Sequence, residues 1–234
     1  MLHVNSSDTA SRPQPPANGP VLFDCDGLLL DTETCWTRAE TALFARYGRP
    51  FGVSEKHALL GASMAAGGLI LERLLDQPDH AEALNAELLE LVGEELARGA
   101  EPLPGAGALV TALQGRRPIA IVSNTPRRLL AMVIARAGFA DAFDFVIGGD
   151  EVASAKPAPD LYLRACAAFQ ADPAAAIALE DSPTGVAAAR AAGVYVIGVP
   201  SLPSLDLDAD LLAPSLEHPD VWRTLRAQSR VDEA

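Results

Sequence analysis

The sequence predicts an α/β fold, a doubly wound parallel sheet core with an all-helical cap inserted after its first strand. Three observations predict it. Five short apolar runs, Val21-Leu22-Phe23, Ile119-Ala120-Ile121-Val122, Phe143–Ile147, Ala176–Leu179 and Val194–Ile197, alternate with stretches of helical spacing. These runs are short and, apart from Asp144, apolar, as strands covered on both faces must be. The interval between the first and second runs is about 90 residues, where an ordinary crossover takes about a dozen, and it contains only helical patterns.

Residues 1 to 19, rich in Ser, Pro, Asn and Gln, are expected to form a mobile leader. The first strand follows at about 20–24, and Gly27 permits a tight turn after it. Asp31 or Thr32 is expected to cap a helix with Trp36, Ala39, Leu43 and Phe44 on one face, ending near Gly48. One or two helices broken near Gly67-Gly68 come next, then another carrying Leu84, Leu88, Leu91 and Leu96. Beyond Pro102 and Pro104, Gly105 opens a helix to about Gly115. Thr125 is expected to cap the helix after the second strand, with Pro126 at its first position and Gly138 past its end. A helix at 158–170 precedes the fourth strand, Ser182-Pro183 starts another that stops at Gly193, and a short helix near 219–227 precedes a loose tail. The domain boundaries expected are a core of 20–32 with 101–234, and a helical cap over 33–100.

The 234 residues carry 18 Lys and Arg against 31 Asp and Glu, a formal net charge of −13. So acidic a chain repels phosphate backbones unless it has a local basic patch, and Arg116-Arg117 and Arg127-Arg128 are only pairs, so no nucleic-acid partner is expected. Three cysteines (Cys25, Cys35, Cys166) without CxxC spacing suggest neither a disulfide framework nor a zinc site. They fit a reducing cytoplasm. No run reaches the roughly 20 apolar residues of a membrane span, and no signal-peptide layout is present. The four histidines, His3, His57, His80 and His218, are scattered without ligand spacing.

In open parallel sheets ligands sit beyond the carboxyl ends of the strands. Four polar groups fall there: Asp24 with Asp26, Ser123-Asn124, Lys156, and Glu180-Asp181-Ser182. Each alone has an ordinary explanation as a helix cap, a surface charge or a polar strand exit. Their convergence on one sheet edge points to chemistry. Two acids one residue apart either bind a cation or retain a proton. A carboxylate can serve as nucleophile toward phosphorus, magnesium takes hard oxygen ligands, and a hydroxyl, an amide and an ammonium can gather phosphoryl oxygens. Cys25, between the acids, belongs by strand alternation to the opposite face and reads as packing.

Asp24-x-Asp26-Gly-x(3)-Asp31-Thr32, Ser123-Asn124-Thr125, Lys156-Pro157-x-Pro159-Asp160 and Glu180-Asp181-Ser182-x-x-Gly185 resemble the four motifs of the haloacid dehalogenase-like hydrolases. The branch resembled is the phosphatase and beta-phosphoglucomutase group, with a Rossmann-like core and a helical cap. The resemblance spans about residues 20 to 200. It implies that Asp24 is nucleophile and magnesium ligand, and that Asp26 is general acid and then base, with its backbone carbonyl on the metal. Ser123 and Asn124 would face the phosphoryl group, Lys156 would bridge it to Asp24, and Asp181 with Glu180 would complete the Mg2+ site. The expected substrate is a small phosphorylated metabolite, of which sugar phosphates are one class, and the expected state is a monomer. Ser63, Met64 and Lys56 are candidate cap contacts.

Mutases of this group flank a Gly-x-Ser core in the cap with a Lys and an Arg. Here Leu60 and Met64 stand there, which favours a phosphatase. Dehalogenases lack the second acid of the first motif, which Asp26 supplies. A receiver-like domain storing phosphate on aspartate is the alternative of another class, against which the long insertion and the Asp24/Asp26 spacing argue. A serine hydrolase built on Gly61-Ala62-Ser63-Met64-Ala65 lacks the final glycine of the nucleophile elbow and its strand.

Overall fold

A computed structural model describes residues 14–202 and 204–225. Six parallel strands form one sheet: β1 (Val21–Phe23), β2 (Ile119–Val122), β3 (Phe145–Ile147), β4 (Ile177–Glu180), β5 (Tyr195–Gly198) and β6 (Leu211–Leu212). Their order is β3-β2-β1-β4-β5-β6, with Leu22 beside Ala120 on one side and Ala178 on the other. The chain runs outward from β1 to β3, then returns to lay β4 against the free side of β1. The order therefore reverses at β1, and a crevice opens beyond the strand ends at such a switch point. β6 was not legible in the sequence, since two residues carry no periodicity.

Strand alternation divides the core into two layers. Val21, Phe23, Ile119, Ile121 and Leu179 face one side, with Cys25 buried among them. Leu22, Ala120, Ala178 and Val196 face the other. The small residues of the second face let two Ala-rich helices lie close, α7 (Asp160–Ala168) and α8 (Pro183–Ala191). The first face is covered by α5 (Ala106–Leu113) and α6 (Arg127–Arg136), and α9 (Pro219–Leu225) adds Val221 and Leu225 to that core.

Between β1 and β2 lie α1 (Glu33–Arg46), α2 (Val53–Leu59), α3 (Met64–Leu75) and α4 (Ala81–Arg98), with no strand. α4 packs along α1 and α3. Leu43, Phe44, Leu71, Leu75, Leu84, Leu88 and Val92 are buried between them. Arg38–Glu95 and Arg46–Glu87 contacts of 2.6 Å line the α1/α4 seam; exposed to water, such pairs add little to stability.

Three local expectations are corrected. α3 runs unbroken through Gly67-Gly68: a Cβ at Gly68 would lie 2.5 Å from Asn85 Nδ2 and 2.8 Å from the Ala81 carbonyl, so glycine here admits α4 rather than ending α3. Thr125 does not cap α6, because its hydroxyl is turned to Asp26; at α1 the Thr32 hydroxyl is also turned to Asp26, and Asp31, the other expected cap, accepts from the Thr34 N–H at 3.4 Å. Pro126 precedes α6 as its cap residue. Ser182 does cap α8, accepting from the Gly185 N–H at 3.1 Å. Residues 1–13 of the expected leader and 226–227 of the expected last helix lie outside the described residues; Gly19 is held by Arg117, which donates to its carbonyl. Among the described residues no helix is long and apolar enough to cross a membrane.

Candidate active site

The carboxyl ends of β1, β2 and β4 and the loop after β3 meet at one point. Asp24 continues β1, its N–H donating to the Leu179 carbonyl at 3.0 Å, and Ser123 continues β2, donating to Ile147 at 3.1 Å. These main-chain bonds fix where the side chains start. Gly27 then turns the chain at φ +79°, and a Cβ there would sit 2.5 Å from Asp181 Oδ2. Glycine is thus needed twice over, for the turn and for the approach of the acid.

Eight polar or charged side chains are buried among the described residues, and seven of them (all but Glu40) belong to this cluster. Buried polar groups require partners, and these have them. Lys156 Nζ donates to Asp24 Oδ1 at 2.6 Å, to Glu180 Oε1 at 2.6 Å and to the Val122 carbonyl at 2.7 Å. Asp26 accepts from three hydroxyls: Thr32 at 2.7 Å, Ser123 at 2.8 Å and Thr125 at 2.9 Å. Asn124 spends both ends of its amide on the Lys156 main chain, accepting from its N–H at 2.8 Å and donating to its carbonyl at 3.1 Å. Its side chain therefore ties the end of β2 to the lysine loop.

Asp24, Glu180 and Asp181 each bring a carboxylate oxygen within 4.8 Å of the others. Burial, and then the charge of Glu180, raise the Asp181 carboxyl to about 8. Burial also raises Asp24 well above its ordinary range, against the pull of Lys156. For Lys156 burial works against the charge, but Asp24 and Glu180 outweigh it and keep the ammonium protonated. Three acids facing one ammonium hold an extra proton unless a cation joins them. Hard carboxylate oxygens converging with unbalanced negative charge are a donor set that fits Mg2+. Glu180 is fully buried, with Oε1 also accepting from Tyr162 at 2.5 Å, and a Cβ on Gly185 would collide with its carboxylate at about 2 Å. Burial first, then the charge of Glu180, pushes the Tyr162 phenol well above its ordinary range.

A cleft connects this cluster to the helical insertion. The insertion's wall is Trp36, Leu59, Leu60, Met64 and Leu88, with the polar groups Glu33, Glu40, Lys56 and Asn85. Lys56 Nζ lies 2.8 Å from Glu33 and 3.0 Å from Glu40. Burial raises Glu40 to about 7, opposed by Lys56. Of the candidate cap contacts, Lys56 and Met64 line the cleft. Ser63 does not; its hydroxyl accepts from the Ala66 N–H at 3.3 Å and caps α3.

Sequence reasoning brought together Asp24, Asp26, Ser123, Asn124, Lys156, Glu180 and Asp181, and they do converge. It missed Glu33, Glu40, Asn85, Thr125 and Tyr162. Glu40 carried a signal, being an acid four residues after Trp36 on the apolar stripe of α1. Asn85 and Tyr162 carried none, since nothing in their local sequence says what they face.

A family model described as a haloacid dehalogenase-like hydrolase matches residues 21–193. The chain belongs to the haloacid dehalogenase-like hydrolases. Within that family it is 33% identical over 181 residues to the fructose-1-phosphate phosphatase YqaB of Escherichia coli, covering 76% of this chain and 95% of that protein. It is 31% identical over 185 residues to a bifunctional riboflavin kinase/FMN phosphatase of Arabidopsis thaliana, covering 78% of this chain; the chain spans about half of that protein's length, 48%. The structure of CbbY from Rhodobacter sphaeroides in complex with phosphate superposes with a TM-score of 0.77 at 26% identity, over 89% of this chain and 99% of that one. The sheet with its helical insertion is thus that of a hydrolase family with phosphatase members.

Proposed function

We propose that this haloacid dehalogenase-like hydrolase is a Mg2+-dependent phosphatase that hydrolyses a small phosphate monoester through an aspartyl-phosphate intermediate. The observation that carries the reading is a buried carboxylate, Asp24, held by Lys156 at 2.6 Å on the floor of a cleft, with a second carboxylate, Asp26, ringed by hydroxyls beside it.

An Asp24 oxygen attacks phosphorus, and the bond to the leaving oxygen breaks as the new O–P bond forms. Lys156 steadies charge on the transferring group and keeps Asp24 aimed. Asp26 gives its proton to the leaving oxygen; to do so it must first have gained that proton and loosened its contacts with Thr32, Ser123 and Thr125. In the second step Asp26, now a carboxylate, takes a proton from water as that water attacks phosphorus, releasing phosphate and restoring Asp24. Ser123 is freed to donate to a phosphoryl oxygen when Asp26 moves, and Asn124 keeps Lys156 in place. Asp24 and Asp181, with the Asp26 carbonyl and with Glu180 beside them, would hold the metal. Bound Mg2+ would offset the repulsion between Asp24 and an anionic phosphoryl group.

A monoester is favoured over a bisphosphate mutase substrate by the cleft wall. Its lysine, Lys56, is already matched by two carboxylates, so a second phosphate would meet net negative charge. Sugar phosphates and FMN, the kinds of ester named for the relatives, are the substrates to try first. The test is phosphate release from para-nitrophenyl phosphate and a panel of such esters, with Mg2+ and with chelator. Steady Mg2+-dependent release that Asp24→Asn abolishes is expected. Glucose 6-phosphate formed from beta-glucose 1-phosphate would favour the mutase, and a single stoichiometric phosphorylation without turnover would favour the receiver-like alternative.

A further inference from the structure

Tyr162 has no place in the chemistry above, yet it is fully buried and donates its hydroxyl at 2.5 Å to the Glu180 oxygen that also accepts from Lys156. The Lys156 ammonium lies 5.2 Å from the centre of the Tyr162 ring. An ammonium has three hydrogens, and here all three are taken, by Asp24, Glu180 and the Val122 carbonyl. For Lys156 to donate to a phosphoryl oxygen on Asp24, one of these bonds must loosen. The Val122 carbonyl is fixed in β2 and Asp24 is the reacting group, so Glu180 is the partner that can let go. A fully buried carboxylate deserted by its cation is costly unless another donor stays with it. Tyr162 is that donor, and Glu180 already fills the space that a Cβ on Gly185 would need, so its carboxylate lies directly against the start of α8.

We propose that Tyr162 is a positioning residue for phosphoryl transfer: its hydroxyl holds Glu180 in place and shares its charge, so that Lys156 can shift toward the phosphoryl group. This rests on the phosphatase reading of the cleft for its catalytic consequence but not for its geometry. Tyr162→Phe removes one oxygen and keeps the ring. Because the demand on Tyr162 rises only as charge moves in the transition state, the variant is expected to lower kcat on para-nitrophenyl phosphate about tenfold, with KM changed by less than about twofold. In a Glu180→Gln background the same substitution should change kcat by less than about twofold, since residues acting as one unit are not additive.

The sequence has only two lysines, Lys56 and Lys156, so 15N-lysine labelling gives a readout independent of turnover. Tyr162→Phe should shift the Lys156 ammonium resonance and leave that of Lys56 in place, and Glu180→Gln should abolish this response. Replacing tyrosine with 3-fluorotyrosine preserves the ring and strengthens the donor. It should move the Lys156 resonance in the opposite sense, which covers the case in which Tyr162→Phe does not fold. An unmoved Lys156 resonance in either protein, or losses in kcat that multiply independently, would overturn the proposal. Absence of any phosphatase turnover would overturn the proposed function instead, while the resonance still decides the role of Tyr162.

Discussion

The two sides of the cleft are built on opposite principles. On the sheet side, charged and hydroxyl groups are buried and bonded to one another, starting from strand ends fixed by main-chain hydrogen bonds. On the insertion side the wall is mainly apolar, and its one lysine, Lys56, is matched by Glu33 and Glu40 on the neighbouring helix. On the proposed function, the contrast assigns chemistry to the sheet side and selection to the insertion side. Charges held rigidly out of water are preorganised for a transition state, whereas an apolar wall discriminates by shape and by excluding water.

The largest test of this contrast is Asp24→Asn, expected to reduce turnover by roughly 10⁴-fold or more in a steady-state assay. Next come the two lysines. Lys156→Met strands two buried carboxylates and should cost roughly 3–5 kcal/mol in urea unfolding. Lys56→Met should cost clearly less, because its side chain keeps 19% exposure and Glu40, already raised to about 7, can take up a proton. Equal losses would erase the distinction between the two sides.

Met64→Lys adds a cation to the insertion wall and should tighten inhibition by a sugar bisphosphate about tenfold relative to a monophosphate, a gain of ~1.4 kcal/mol. Wild-type protein already preferring the bisphosphate would break the comparison at that wall. Glu40 supplies a pH test. Its carboxyl has a folded value of about 7 against an ordinary 4.5, so between those values the folded state binds more protons. Its contribution to stability is therefore complete below about pH 4.5 and lost as pH rises through about 7. Glu40→Gln should flatten that part of the Tm profile. The smallest effect is expected of Ser63→Ala, about 1 kcal/mol of stability through the lost α3 cap, with KM unchanged.

Much of the site was legible because its residues are tied to strand ends. Asp24, Ser123 and Glu180 follow apolar runs, and a parallel sheet sends all such ends to one edge. Thr125 reads as a cap in sequence because a hydroxyl before Pro126 fits that role equally well; its bond to Asp26 spans 99 residues. Gly67-Gly68 reads as a break because helix propensity penalises glycine, while the compensating approach of Asn85 comes from another helix. Ser63 looked like a substrate contact and proved to be a cap, since a serine before an apolar helix serves both descriptions.

By itself the sequence determined five of the six strands, the place of the insertion and the acids, hydroxyl and lysine of the cluster. Period-2 and period-3.6 patterns and strand-end positions are properties of the local chain. Only the tertiary structure decided how those groups are partnered: Asp26 with three hydroxyls, Lys56 with two acids, and Glu180 with both Lys156 and Tyr162. Partnership depends on distances between segments far apart in the chain, and burial makes each such pairing obligatory without leaving a trace in either segment's own pattern.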